Sequence, residues 1–134
     1  VEAIRRYAEQ LQSSQTGWLA GLRDPQIAKA LVLLHAKPAH AWTVEEISQA
    51  VGLSRSVFAE RFTHYLGQPP VQYLTRWRLA LAADRLRDGK ARVGRVAEKV
   101  GYDSEASFTR AFKREFGLPP AAWRRREGAA RPAH

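Results

Sequence analysis

The side chains best placed to do chemistry fall into two short sets about fifty residues apart. Arg55, Ser56, Ala59, Glu60 and Thr63 form the first set, and Glu105, Ala106, Thr109, Arg110 and Lys113 form the second. At helical spacing each set lies along one side of a helix. Both sets mix small residues with polar or charged ones. Small residues let a helix sink into a groove of duplex DNA, and the longer side chains can reach base edges there. Arg110 is the strongest candidate for guanine, because a guanidinium donates to O6 and N7 together. Glu60 has two readings: its carboxylate could accept from cytosine N4, or it could keep that part of the helix away from phosphates.

Other chemistries find little support. The chain has no cysteine, which excludes disulfides and thiolate zinc sites. Its histidines, His35, His40, His64 and His134, show no carboxylate-rich spacing suited to a metal. His35 and His40 are separated by Pro38 and make a poor ligand pair. Neither catalytic residues nor metal ligands nor a cofactor are therefore expected, and the chain does not read as an enzyme. No apolar run approaches the roughly 18 residues that span a bilayer. The formal charge is +9, and it is one-sided. Residues 1–53 carry five basic and five acidic side chains, whereas residues 54–134 carry seventeen basic and eight acidic ones. A basic, cysteine-free helical chain calls for a polyanionic partner.

The elements that must position these sets read as helices throughout. Val1, Ile4, Tyr7 and Leu11 form an apolar stripe on a flanking helix. Residues 1–16 could dimerise through it or pack on the domain. Asp24-Pro25 starts a helix with Ile27, Ala30, Leu31 and Leu34 inward, ending before Pro38. Thr43-Val44-Glu45-Glu46 is a capping box, and that helix ends at Gly52. Ser54 caps the next, with Val57, Phe58, Phe62 and Leu66 inward and Gly67 as its stop. Pro69-Pro70 opens a long helix over 70–88, through Val71, Leu74, Trp77, Leu81 and Leu86. A short helix through Val96 and Val100 then stops at Gly101. Asp103 or Ser104 caps a helix with Phe108, Ala111, Phe112 and Phe116 inward, and Pro119-Pro120 starts the last turns.

These elements repeat. Ile47, Val51 and Gly52 recur as Val96, Val100 and Gly101. After one added residue in the turn, Ser54, Phe58, Phe62, Leu66, Gly67, Pro69, Pro70 and Tyr73 recur as Ser104, Phe108, Phe112, Phe116, Gly117, Pro119, Pro120 and Trp123. Each copy is a short helix, a tight turn with glycine and a capped helix, which is the helix-turn-helix outline. The expected fold is all-α and homeodomain-like, with two helix-turn-helix subdomains joined by a long linking helix: seven helices plus a flanking one. The expected divisions are 1–23 (flanking helix and linker), 24–67 (first subdomain), 68–90 (linking helix), 91–126 (second subdomain) and 127–134 (disordered tail). Phosphate contacts are expected at the helix starts Thr43, Ser54 and Ser104, and at Arg78, Arg92, Arg95, Arg114 and Arg124. For Arg78 a salt bridge between the two copies is an equal alternative. Phe58, Phe62, Phe108, Phe112, Trp77 and Trp123 recur at inward spacing and read as core, not as stacking platforms.

TVEEISQAVGLSRSVFAERFTHYLG (43–67) and VGRVAEKVGYDSEASFTRAFKREFGLPPAAWRRR (93–126) resemble the two helix-turn-helix units of the AraC/XylS family of bacterial transcription regulators. The resemblance covers about residues 25–126 and is most specific over VGYDSEASFTRAFKREFGLPP. Residues 1–22 look like the end of the sensor or dimerisation domain that precedes this unit in regulators with a cupin-like sensor. Trp123 stands where the family usually has Tyr, and Arg95 where an acidic residue is common. The resemblance implies binding to double-stranded DNA, with two recognition helices in successive major-groove segments roughly 34 Å apart. It also implies RNA polymerase as a partner and a small-molecule effector acting only through a sensor domain outside these residues. A homodimer formed through the N-terminal residues and a cytoplasmic, nucleoid-associated location complete its implications. The competing reading is a helical protein–protein or dimerisation module without DNA readout.

Overall fold

A computed structural model describes residues 19–130. The expectations for residues 1–18 and 131–134 lie outside them. Among the described residues there is no strand; residues 19–21 are helical, and seven helices follow. They are α1 (Pro25–Ala36), α2 (Val44–Val51), α3 (Arg55–Leu66), α4 (Pro70–Leu86), α5 (Val93–Lys99), α6 (Glu105–Phe116) and α7 (Pro120–Ala130).

Local chemistry sets the boundaries. Asp24 accepts from the backbone N–H groups of Gln26 and Ile27, and Pro25 fills the first helical position, where no N–H is needed. Thr43 caps α2 by accepting from the Glu46 N–H at 3.0 Å. The expected box is only half made, because the Glu46 carboxylate meets His40 Nε2 at 2.9 Å. Gly52 ends α2 in the left-handed region at φ 76°, a conformation that costs other residues more. The long helix stops at Leu86, two residues short of the expected end. α7 continues to Ala130, past the expected start of the tail, and Glu127 in it is buried.

The described residues up to Trp77 form one compact unit, and those from Arg78 onward form another. The first is closed by Ile27, Ala30, Leu31, Leu34, Ile47, Val51, Phe58, Phe62, Leu66, Tyr73 and Leu74. The second is closed by Leu79, Ala82, Ala83, Leu86, Val96, Ala97, Val100, Phe108, Phe112, Phe116 and Trp123. The division falls inside α4, whose Tyr73 and Leu74 belong to the first core and whose Leu79 to Leu86 segment belongs to the second. The repeat therefore reaches further than the helix-turn-helix segments. Ile27, Ala30, Leu31 and Leu34 on α1 have counterparts in Leu79, Ala82, Ala83 and Leu86 on α4.

One slot is filled differently in the two copies. In the first, His35 stacks on Trp77 with centroids 4.2 Å apart and shares a 2.7 Å hydrogen bond with the Tyr73 hydroxyl. In the second, the corresponding residues are Arg87, Glu127 and Trp123, and Arg87 Nε lies 3.6 Å from Glu127 Oε1. Burial lowers the His35 pKa to about 4, from 6.5. Between those values the unfolded chain binds a proton that the native unit resists, so stability rises with pH through that window. The first unit is expected to lose urea resistance as pH falls from about 6.5 towards 4, with no such loss above the unfolded value. His35→Gln should flatten that dependence. Equal pH profiles for parent and variant would exclude His35 as its source.

Candidate nucleic-acid interface

In the first unit α3 is the helix with an outward polar face. Ser54 caps it by accepting from the Val57 N–H at 3.3 Å, and Phe58, Phe62 and Leu66 turn inward, whereas Val57, expected among them, lies in the first turn and is exposed. That leaves Arg55, Ser56, Glu60 and Thr63 exposed and Ala59 half-buried. The structure thus brings the first set of candidate readers onto one accessible helix. Arg55 pairs with Glu45 at 3.3 Å, but both side chains are more than two-thirds exposed, so the pair holds Arg55 only weakly. The Thr63 hydroxyl donates to the Ala59 carbonyl at 2.8 Å, which leaves its oxygen as an acceptor.

Sequence reasoning missed what sets the angle of α3. Gln26 donates through Nε2 to the Val51 carbonyl at 3.1 Å, at the end of α2, and accepts from Arg61 on α3 at 2.9 Å. Arg61 also lies 3.7 Å from Asp24, the residue that caps α1. One glutamine thus joins the start of α1 to both arms of the helix-turn-helix. The only hint in the sequence is that Arg61 has Ala111 as its counterpart.

In the second unit α6 has the same construction. Ser104 accepts from the Ser107 N–H at 3.1 Å, and the two hydroxyls lie 3.0 Å apart. Phe108, Phe112 and Phe116 turn inward in a chain of ring contacts, with Phe112 and Phe116 centroids 4.5 Å apart. Glu105, Ala106, Arg110 and Lys113 are exposed, and Thr109 is half-buried. Arg114 is exposed beside them. Among the described residues Arg110 and Lys113 make no ion pair, while the charge of Arg114 acts on the Tyr102 hydroxyl. The two outward faces differ in charge, α6 being the more basic: Glu60 and His64 on α3 correspond to Arg110 and Arg114 on α6.

The remaining phosphate candidates divide. Thr43, Ser54 and Ser104 cap exposed helix starts, and Arg92 and Arg95 are exposed. Arg78 is half-buried: burial lowers its pKa, while Tyr102 and Asp103, both of its own unit, act in the opposite direction. Its position beside the residue that precedes the α6 cap suits a scaffold role. Arg124 is also half-buried and donates to the Ala91 carbonyl. Among the described residues no group of three or more His, Asp or Glu side chains could hold a metal ion, and no helix is long and apolar enough to cross a membrane.

Comparison with known proteins agrees with this geometry. A helix-turn-helix domain family matches residues 47–126. A putative AraC-like transcription regulator of Streptomyces antibioticus is 46% identical over 125 residues, covering 93% of this chain and 41% of its own length. The HTH-type transcriptional regulator AlkR of Acinetobacter baylyi is 37% identical over 124 residues, covering 92% of this chain and 40% of its own. The chain thus spans about two-fifths of the curated relatives it matches. Among solved structures, the DNA-binding domain of the transcriptional factor AdpA, in complex with a target DNA, superposes with a TM-score of 0.75 at 28% identity, covering 80% of this chain and 96% of that one. An AraC-type transcriptional regulator of Chromobacterium violaceum shares the fold, with a TM-score of 0.73 at 24% identity, covering 83% of this chain and 97% of that one.

Proposed function

The chain belongs to the AraC-type helix-turn-helix family, and from that premise we propose that it binds double-stranded DNA sequence-specifically to regulate transcription. It acts by binding, not by catalysis. The observation that carries the reading is the duplicated helix-turn-helix, in which two capped helices each turn three aromatic or aliphatic residues inward and a polar row outward. α3 and α6 are the recognition helices, entering successive major-groove segments about one helical turn apart. Arg55, Ser56, Ala59, Glu60 and Thr63 read one segment, and Glu105, Ala106, Thr109, Arg110 and Lys113 read the other. Thr43, Ser54, Ser104, Arg92, Arg95 and Arg114 position the backbone. The finer partners follow the family: RNA polymerase, an effector acting through a region beyond these residues, and a homodimer formed through N-terminal residues. A cytoplasmic site of action at the nucleoid fits the same role.

A salt titration of duplex binding tests the reading. Log K is expected to fall linearly with log salt, by about 0.9 for each phosphate neutralised. Selection from a random duplex pool should enrich a bipartite site with its halves roughly 10 base pairs apart. A slope near zero would leave the helical protein–protein module as the better account.

A further inference from the structure

In the second unit the end of α4, the connection after it and α5 enclose an open basin of about 890 Å³. Arg85, Lys90, Arg92, Arg95 and Lys99 give it five cations, against the single acid Asp88. The copy in the first unit lacks this charge. The positions that correspond to Arg85, Arg95 and Lys99 there are Leu33, Glu46 and Ala50. Both copies build the same helices around equivalent core residues, so folding does not require the cations. Like charges held together repel, and a cluster of this kind favours an anionic partner that offsets the repulsion. The wall of the basin is also anchored, because Arg124 donates to the carbonyl of Ala91, a lining residue.

We propose that this basin is a phosphate-binding surface for the sugar–phosphate backbone of duplex DNA, flanking the segment read by α6. The proposal rests on the reading of α6 as a DNA-contacting helix and widens the footprint of its unit. In a helix-turn-helix the first helix crosses the backbone while the second lies in the groove, and α5 is the first helix of this one. Arg95 and Lys99 are one helical turn apart and share a face. An open, cation-lined hollow suits a strand passing along it, whereas small ligands favour enclosed, mostly apolar pockets. Lys90, Arg85 and Lys99 thereby become DNA contacts beside Arg92 and Arg95.

The test compares the parent chain with the triple variant R85Q/K90Q/K99Q on random-sequence duplex across a salt series. All three side chains are exposed, so an unchanged circular dichroism spectrum and melting curve are expected. The log–log slope should become shallower by about 2–3, at roughly 0.9 for each phosphate no longer neutralised. Base preference in a selected pool should stay the same. The charge-conserving variant R85K/K90R/K99R should keep the parent slope. A triple variant with the parent's affinity and slope overturns the proposal and leaves the basin to an acidic protein surface. A parent chain with no salt-dependent duplex binding overturns the DNA reading itself, and this proposal with it.

Discussion

Trp123→Ala is expected to remove about 3–5 kcal/mol from the second unit, enough to unfold much of it at room temperature. Trp123 has no exposed surface. Its ring meets Phe112 nearly at right angles, with centroids 5.6 Å apart, and meets Phe116 at 5.8 Å. Both phenylalanines belong to the inward face of α6, so the indole presses α7 against the back of that helix. Alanine leaves a cavity among close-packed rings, and the loss combines the transfer of the indole with the empty space it leaves. Urea unfolding followed by circular dichroism reads the effect. Trp123→Tyr keeps an aromatic ring against both phenylalanines, so it should cost less than the alanine variant. An alanine variant as stable as the tyrosine variant would show that the ring contacts do not hold α6 in place.

Arg110→Ala should cost about 1–3 kcal/mol of binding to the selected site and abolish discrimination at one base pair. Arg110 is exposed on the outward face of α6, and among the described residues no carboxylate pairs with it. Its fork of donors is thus available to a base edge without an ion pair having to break first. A panel of duplexes, each carrying one base-pair change, measures the outcome. The parent should reject changes at one position that the variant accepts. A uniform loss across the panel would instead place the guanidinium on a phosphate. Arg114, one turn further along the same helix and exposed beside Arg110, should show that uniform pattern if it holds the backbone at the rim of the groove.

The parts of this arrangement legible in the sequence are those with a local signature. Thr43, Ser54 and Ser104 announce helix starts because a short hydroxyl just ahead of an apolar-periodic run can accept from the first unpaired N–H groups. The phenylalanines announce the core because they recur at turn spacing in both copies. The illegible parts are bonds between distant residues. Nothing in a basic sequence separates Arg61, tied to Gln26 and Asp24, from Arg110, which faces solvent. Arg124 and Arg78 read as phosphate contacts for the same reason, and only the packed chain shows that each lies half-buried. The end of α7 is hidden likewise: Gly128 and the alanines suggest a tail, but Glu127 lies against Arg87 across a separation that no periodicity records.

The serine caps and the inward triads Phe58–Phe62–Leu66 and Phe108–Phe112–Phe116 bear on how such a protein can change over generations. They confine the demands of folding to one side of each helix. Folding leaves the other side almost unconstrained, since an exposed helical position tolerates most residues within about 0.5 kcal/mol, and DNA alone sets the demands on it. Glu60 in one copy and Arg110 in the other show that opposite charges can occupy corresponding outward positions on helices with the same inward face. A lineage could therefore move from one target sequence to another a base pair at a time, staying foldable at every step.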